Sequence, residues 1–124
     1  MRSPRFSSNG SGGSSDGAVP PEFRVDVQPE RDVARVSPVG EVDISTVDDV
    51  RAAIEELRIA GFKRLILDLR QATFLDSCGL RLAVDATSHS AADGFEFAIV
   101  PGPPGVQRVF EVAGLSSRLP FTEA

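Results

Sequence analysis

Asp76, Ser77, Cys78 and Gly79 stand together in FLDSCGLRLAV (74–84), where an apolar pair gives way to helical spacing. A serine hydroxyl beside a carboxylate can act as a nucleophile, accept a modifying group, or simply cap a helix. Nucleophilic use needs a base, and His89, the one histidine, lies about three turns further along the same helix. At that separation it cannot bond the Ser77 hydroxyl. One His and one Cys cannot fill a zinc site of ordinary ligand count. No GxGxxG or GxxxxGK[ST] phosphate loop occurs. PGPPG (101–105) is too rich in proline to offer the N–H groups of a phosphate cradle. Asp68, inside LILDL, reads as structural. No acid–base constellation points to an enzyme. The capping reading explains a serine, with Asp76 or Ser77 as the cap of a helix starting at Cys78. It explains less well why Asp, Ser and Gly cluster where a strand-like run ends, since such junctions in α/β folds are exposed and functional.

The elements that must hold this cluster are legible in the spacing. FRVDV (23–27) alternates as a half-buried strand does, Asp32 opens a turn, and VARVS (33–37) reads as a second strand antiparallel to the first. Pro38 cannot donate to a ladder, so a bulge, an edge or a strand end is expected there. GEVDIST (40–46) leads into a helix whose inward face is Val47, Val50, Ala53, Ile54 and Leu57. Ser45 or Thr46 is its expected cap, Asp48 and Asp49 favour its N-terminus, and Gly61 stops it. LILDL (65–69) is apolar enough for a strand covered on both faces. The second helix follows FLDSCG, with Leu80, Ala83, Val84, Thr87 and Ala91 as its expected stripe and an Arg81–Asp85 pair outside. Gly94 ends it. FEFAIV (95–100) is the next strand, and Val106, Val109, Phe110 and Ala113 face a third helix inward, closed by Gly114. LPFT (119–122) either adds a short strand or frays. The order β-β-α-β-α-β-α implies right-handed crossovers and a mixed sheet of four to five strands, helices mainly on one face, in a single α/β domain.

The 124 residues fit one such domain, expected over 22–124 after a disordered Gly/Ser-rich tail at 1–21. Net charge is −5, and no basic run occurs, which argues against nucleic acid or anionic membrane as partners. Without Trp or Tyr, base stacking would rest on Phe alone. A single cysteine excludes an internal disulfide. No apolar stretch is long enough for a membrane span, and no signal segment is evident, so a cytoplasmic location is expected.

Three stretches in order carry a resemblance. GEVD (40–43) resembles a G-E-L-D element. FLDSCGL (74–80) resembles an [FM]-[ILM]-D-S-[ST]-G-L signature. VQRVFEVAGL (106–115) resembles V-x-R-x-[FL]-x-x-[ST]-G-L. Residues 22–122 are thereby similar to a STAS domain of the bacterial anti-sigma factor antagonist type. The resemblance implies phosphorylation at Ser77, with Cys78 in place of the usual Ser or Thr. It implies a partner surface of Gly40, Glu41, Asp43, Ser45, Thr46, Asp76, Ser77, Cys78, Gly79 and Arg81. The implied partner is an anti-sigma factor of the serine-kinase type, which supplies the ATP and Mg²⁺; the chain itself needs no cofactor or metal. A phosphatase would reverse the modification. Two alternatives stand beside this one: a non-switching STAS module in a stress-signalling assembly, and a small hydrolase using Ser77.

Overall fold

Apolar residues recur in rows across the strands, and those rows decide which face of the sheet is covered. The computed structural model describes residues 23–123; the tail expected at 1–21 lies outside them. The strands are β1 (Arg24–Glu30), β2 (Val33–Val42), β3 (Arg64–Asp68), β4 (Ala72–Leu75) and β5 (Glu96–Val100). The helices are α1 (Val47–Ile59), α2 (Ser77–Asp93) and α3 (Pro104–Val112). β1 and β2 are antiparallel, and every other pairing is parallel, in the order β1-β2-β3-β5 with β4 also on β2. Register aligns Ala34, Leu65 and Phe97 in one row and Val27, Val36, Leu67 and Ile99 in the next. These residues share one core with the inward faces of α1, α2 and α3. Burying each large one stabilises the fold by roughly 1.5–3 kcal/mol before entropy is counted.

The first helix buries Val47, Val50, Ala53, Ile54 and Leu57, as its spacing predicts. The second does not follow expectation. α2 buries Gly79, Leu82, Ala83 and Ala86, while Leu80, Val84 and Thr87 are half-buried and Ala91 is exposed. The true stripe is rotated from the expected one by about one residue, or ~100°. Contacts with β4, β5, α1 and α3 surround α2, so its apolar residues spread over a wide arc and spacing alone does not choose among them. Asp85 pairs with Arg51 of α1 at 3.5 Å rather than with Arg81. In α3, Val106 and Phe110 are buried, Val109 is half-buried, and Ala113 caps the helix in the open.

β4 is the element the spacing does not reveal. It is four residues long and runs straight into α2, so its pattern merges with the helix. It lies beside β2 past the end of β3, and this explains Pro38. β2 pairs with β3 through Val36 and with β4 from Gly40. Pro38 falls between, and its nitrogen shares the direction of the Gly40 N–H, which reaches Gln71 O on that same side at 3.2 Å. The missing donor therefore faces a gap in the ladder. On the other side Pro38 stays in register opposite Val25, without the break expected there. The bulge comes two residues later, between Gly40 and Glu41, with Gly40 at φ 115. LPFT adds to the sheet: Phe121 bridges Ile99 and meets the Phe110 ring edge-on at 5.1 Å.

The other face of the sheet mixes Arg35 and Asp68 with Ile66, Ala98 and Val100. Asp68 there is buried and bonded by Arg35 at 2.9 Å and by Arg70 at 2.8 Å, which bears out its structural reading. Burial alone would raise its pKa, but the Arg70 and Arg35 hydrogen bonds outweigh it and hold the carboxyl below its ordinary value. A depressed folded-state pKa contributes stability that is complete above the ordinary carboxylate value and is lost as pH falls through the folded one. Asp68→Asn is thus expected to destabilise by about 1.5–3 kcal/mol near neutrality. In denaturant titrations its deficit against the parent should shrink well below pH ~4. A deficit independent of pH would show that packing, not charge, is what Asp68 supplies.

Candidate functional site

Parallel pairing of β2 with β4 brings two chain junctions side by side. Val42 lies opposite Leu75, and Asp76 N donates to Val42 O at 3.2 Å. The loop that leaves β2 at Asp43 therefore sits against the turn that enters α2 at Asp76.

At the α2 junction the cap is Asp76, not Ser77. Its Oδ1 accepts from the N–H of Cys78 at 2.8 Å and of Gly79 at 3.3 Å. Ser77 is the first helical residue, exposed, and among the described residues no hydrogen bond holds its hydroxyl. An aspartate cap satisfies two N–H groups that the helix leaves open and favours the positive end of its dipole. Asp76→Ala is accordingly expected to cost about 1 kcal/mol, and Ser77→Ala within about 0.5 kcal/mol of nothing. Chemical denaturation of the two variants checks this. Equal losses would mean that Ser77 supports the fold in a way the geometry does not show.

Gly79 is buried where the first turn of α2 crosses β4 and β2. A Cβ there would lie 2.7 Å from Leu75 Cγ and 3.1 Å from Val42 Cγ1. Cys78 is half-buried, and Arg81, one turn beyond Ser77 on the same side, is exposed. Arg81 makes no ion pair among the described residues.

The β2–α1 loop is tied internally. Asp43 Oδ1 accepts from Ser45 N at 3.0 Å and Ser45 Oγ at 2.8 Å. The Ser45 hydroxyl is the main reason the Asp43 carboxyl titrates below its ordinary value, against a smaller upward push from burial. Thr46 stands at the N-cap position of α1 but makes no side-chain cap bond. Its hydroxyl donates to Glu41 O at 2.6 Å and accepts from Asp43 N at 3.0 Å. Asp43 O instead receives the Thr46 and Val47 N–H groups.

Thr46 and Gly79 are buried, so of the ten expected contact residues these two shape the surface from beneath. Glu41, Ser45, Ser77 and Arg81 are exposed, and Gly40, Asp43, Asp76 and Cys78 are half-buried. Sequence reasoning missed Ile44. It projects from the tied loop, 77% exposed, beside Asp43 and across from the α2 junction. An apolar residue between Asp43 and Ser45 has no periodic partner, and only its place in a capping loop could have flagged it.

Among the described residues no hydrogen bond ties a base to Ser77. His89 is on α2, about 18 Å along the axis. Among the described residues no group of His, Cys, Asp and Glu could hold a metal ion. Among the described residues no helix is long and apolar enough to cross a membrane.

The family model described as STAS domain matches residues 24–124. Among solved structures, an anti-sigma factor antagonist from Mycobacterium paratuberculosis is 26% identical, with a TM-score of 0.72 over 86% of this chain and 90% of that one. SpoIIAA in its unphosphorylated form is 23% identical, with a TM-score of 0.66 over 82% and 87%. The phosphorylated form of the Bacillus cell fate determinant SpoIIAA is 21% identical, with a TM-score of 0.62 over 82% and 90%.

Proposed function

This chain belongs to the STAS domain family, and on that premise we propose that it is an anti-sigma factor antagonist switched off by phosphorylation at Ser77. The observation that carries the reading is the hydroxyl of Ser77: exposed, unbonded, and released from capping duty by Asp76. A serine needed for the cap would resist modification. This one does not hold the helix, so a kinase can take it without unfolding the junction.

The partner is an anti-sigma factor of the serine-kinase type, which brings its own ATP and Mg²⁺. The M. paratuberculosis relative is an anti-sigma factor antagonist by name, and SpoIIAA takes a similar fold in its unphosphorylated and phosphorylated forms. The unmodified protein binds the anti-sigma factor and thereby frees the sigma factor; a phosphatase restores binding after modification. The chain acts by binding and is not an enzyme.

The contact surface is centred on Ser77, with Asp43, Ile44 and Ser45 from the neighbouring loop and Arg81 on the rim. Ile44 supplies the apolar centre, and its loop is already ordered by the Asp43 and Thr46 hydrogen bonds. Ile44→Ser, Asp43→Lys and Arg81→Glu are expected to weaken binding by at least about tenfold, against little change for Arg118→Glu. Calorimetry with the captured anti-sigma factor reads this directly. Equal losses at Arg81 and Arg118 would place the interface elsewhere. The reading as a whole is tested by pull-down with unmodified protein, followed by mass spectrometry after kinase treatment. Recovery of no anti-sigma factor, or phosphate confined to other residues, would overturn it.

A further inference from the structure

Between α1 and α2 runs a cleft of about 400 Å³. Its apolar lining is Ala52, Ile54, Leu82, Ala86 and Phe95, of which Ala52 is exposed. Its rim is charged. Arg51 reaches Asp85 at 3.5 Å and Asp48 at 4.0 Å; Arg58 reaches Glu55 at 2.6 Å and Asp93 at 3.4 Å. On the cleft wall two guanidiniums face three carboxylates, Asp48, Glu55 and Asp85, with His89 beside them; Asp93 lies off the wall. The rim keeps negative charge in excess.

We propose that this cleft is a second docking site, one that takes an amphipathic partner helix with one or two large apolar side chains flanked by Lys or Arg. The volume lies near the lower end of the range for binding sites, enough for a pair of side chains but not for a large cofactor. An apolar trough between two parallel-running helices receives a helix whose anchors recur one turn apart. The excess carboxylates select a cationic flank and reject an acidic one. The side chains of the ion pairs that cross the cleft are 31–44% exposed, so breaking them costs little. When Arg51 or Arg58 swings aside, it leaves a carboxylate for the incoming cation. Ser77 and Arg81 are not on the cleft wall. Docking here is therefore independent of the phosphorylation state and lets the domain hold a second protein while its switch changes.

The test uses the full chain, isotopically labelled, in NMR titrations with a synthetic helical peptide carrying Leu at helical spacing flanked by Lys. The same peptide with Glu for Lys, and one with the Leu positions scrambled, are the controls. Shifts are expected at Ala52, Ala86, His89 and Phe95, with the Glu and scrambled peptides at least about tenfold weaker. Ala52→Phe fills the trough from an exposed position, so it should abolish binding while circular dichroism stays unchanged. The reversals Glu55→Lys and Asp85→Lys should weaken the Lys peptide and strengthen the Glu peptide. Shifts confined to the Ser77 surface, or equal affinity for both charge versions, would overturn the proposal. So would cleft signals that move with concentration in the free protein, which would mean a second copy is the occupant. Cleft signals that move when residues 1–22, with Arg2, Arg5 and Phe6, are deleted would assign the cleft to the chain's own terminus and overturn it equally.

Discussion

Phosphorylation of Ser77 is expected to lower affinity for the anti-sigma factor at least about 100-fold while the domain stays folded. The modification adds about −1.5 to −2 charges at neutral pH. The positive end of α2 would ordinarily welcome them, but Asp76 already occupies the Cys78 and Gly79 N–H groups. The phosphate therefore meets a carboxylate where it would look for donors, with Asp43 on the adjoining loop. Its ready cation is Arg81, one turn along the helix at i, i+4 and without another ion pair among the described residues. That pairing harms binding a second time, since it withdraws Arg81 from the rim of the interface. A partner surface built to cover a neutral hydroxyl must then desolvate an incompletely paired charge, at several kcal/mol. Each 1.4 kcal/mol or so is tenfold in affinity. Ser77→Asp carries about one charge on a shorter arm and should reproduce only part of the loss. Ser77→Ala should bind as the parent does and accept no phosphate, and in cells it should keep the sigma factor active. Cys78→Ser, half-buried beside the site, should change little. Affinities of modified and unmodified protein for the same anti-sigma factor decide the matter. Indistinguishable values, with both samples folded, would sink the switch.

What the sequence could show depended on where each element's neighbours lie. Three of the four neighbours of α1 are strands of the one sheet, so Val47, Val50, Ala53, Ile54 and Leu57 form its core face on spacing alone. α2 has neighbours on several sides, and Leu80 and Val84 compete with Leu82 and Ala86 for the inward position. Periodicity reports that a helix is amphipathic but not which of two apolar edges wins. β4 is too short to show a period of its own, and the place of Pro38 follows only once β4 is known to continue where β3 stops. The position of Ser77 at a strand-to-helix junction was legible, because that junction is a local matter of one run ending and another starting. The division of labour between Asp76 and Ser77 was not. Both are good caps, and only the backbone path decides whose oxygen faces the free N–H groups. Thr46 is a similar case: its type suggests a cap, yet its hydroxyl bridges Glu41 and Asp43 within the loop.

Gly79→Ala should destabilise the domain by roughly 1–3 kcal/mol, although alanine is by far the better helix former. Intrinsic propensity alone predicts the opposite sign, a gain approaching 1 kcal/mol for a residue inside a helix. Here the gain is smaller, because Gly79 sits in the first turn, where fewer of the helix's own bonds constrain the backbone. Against it stands a contact of 2.7 Å to Leu75 Cγ, with Leu75 Cδ1 at 3.0 Å and Val42 Cγ1 at 3.1 Å. Leu75 Cγ is a branch point rather than a mobile chain end, and Leu75 and Val42 are both core residues that packing holds in place. Relief must come from lifting the first turn of α2 off β4 and β2. That movement would stretch the Asp76 N–H bond to Val42 O and carry Ser77 with it. A thermal melt should show Tm falling by about 4–8 °C for each kcal/mol lost. Anti-sigma factor binding should weaken as well, since Ser77 would no longer sit in register with Ile44 and Asp43. Ser77→Ala separates the two effects, for it leaves the first turn in place and should keep both Tm and binding. A Gly79→Ala protein that melts higher than its parent would show that the turn has room the distances deny it, and that propensity decides the position.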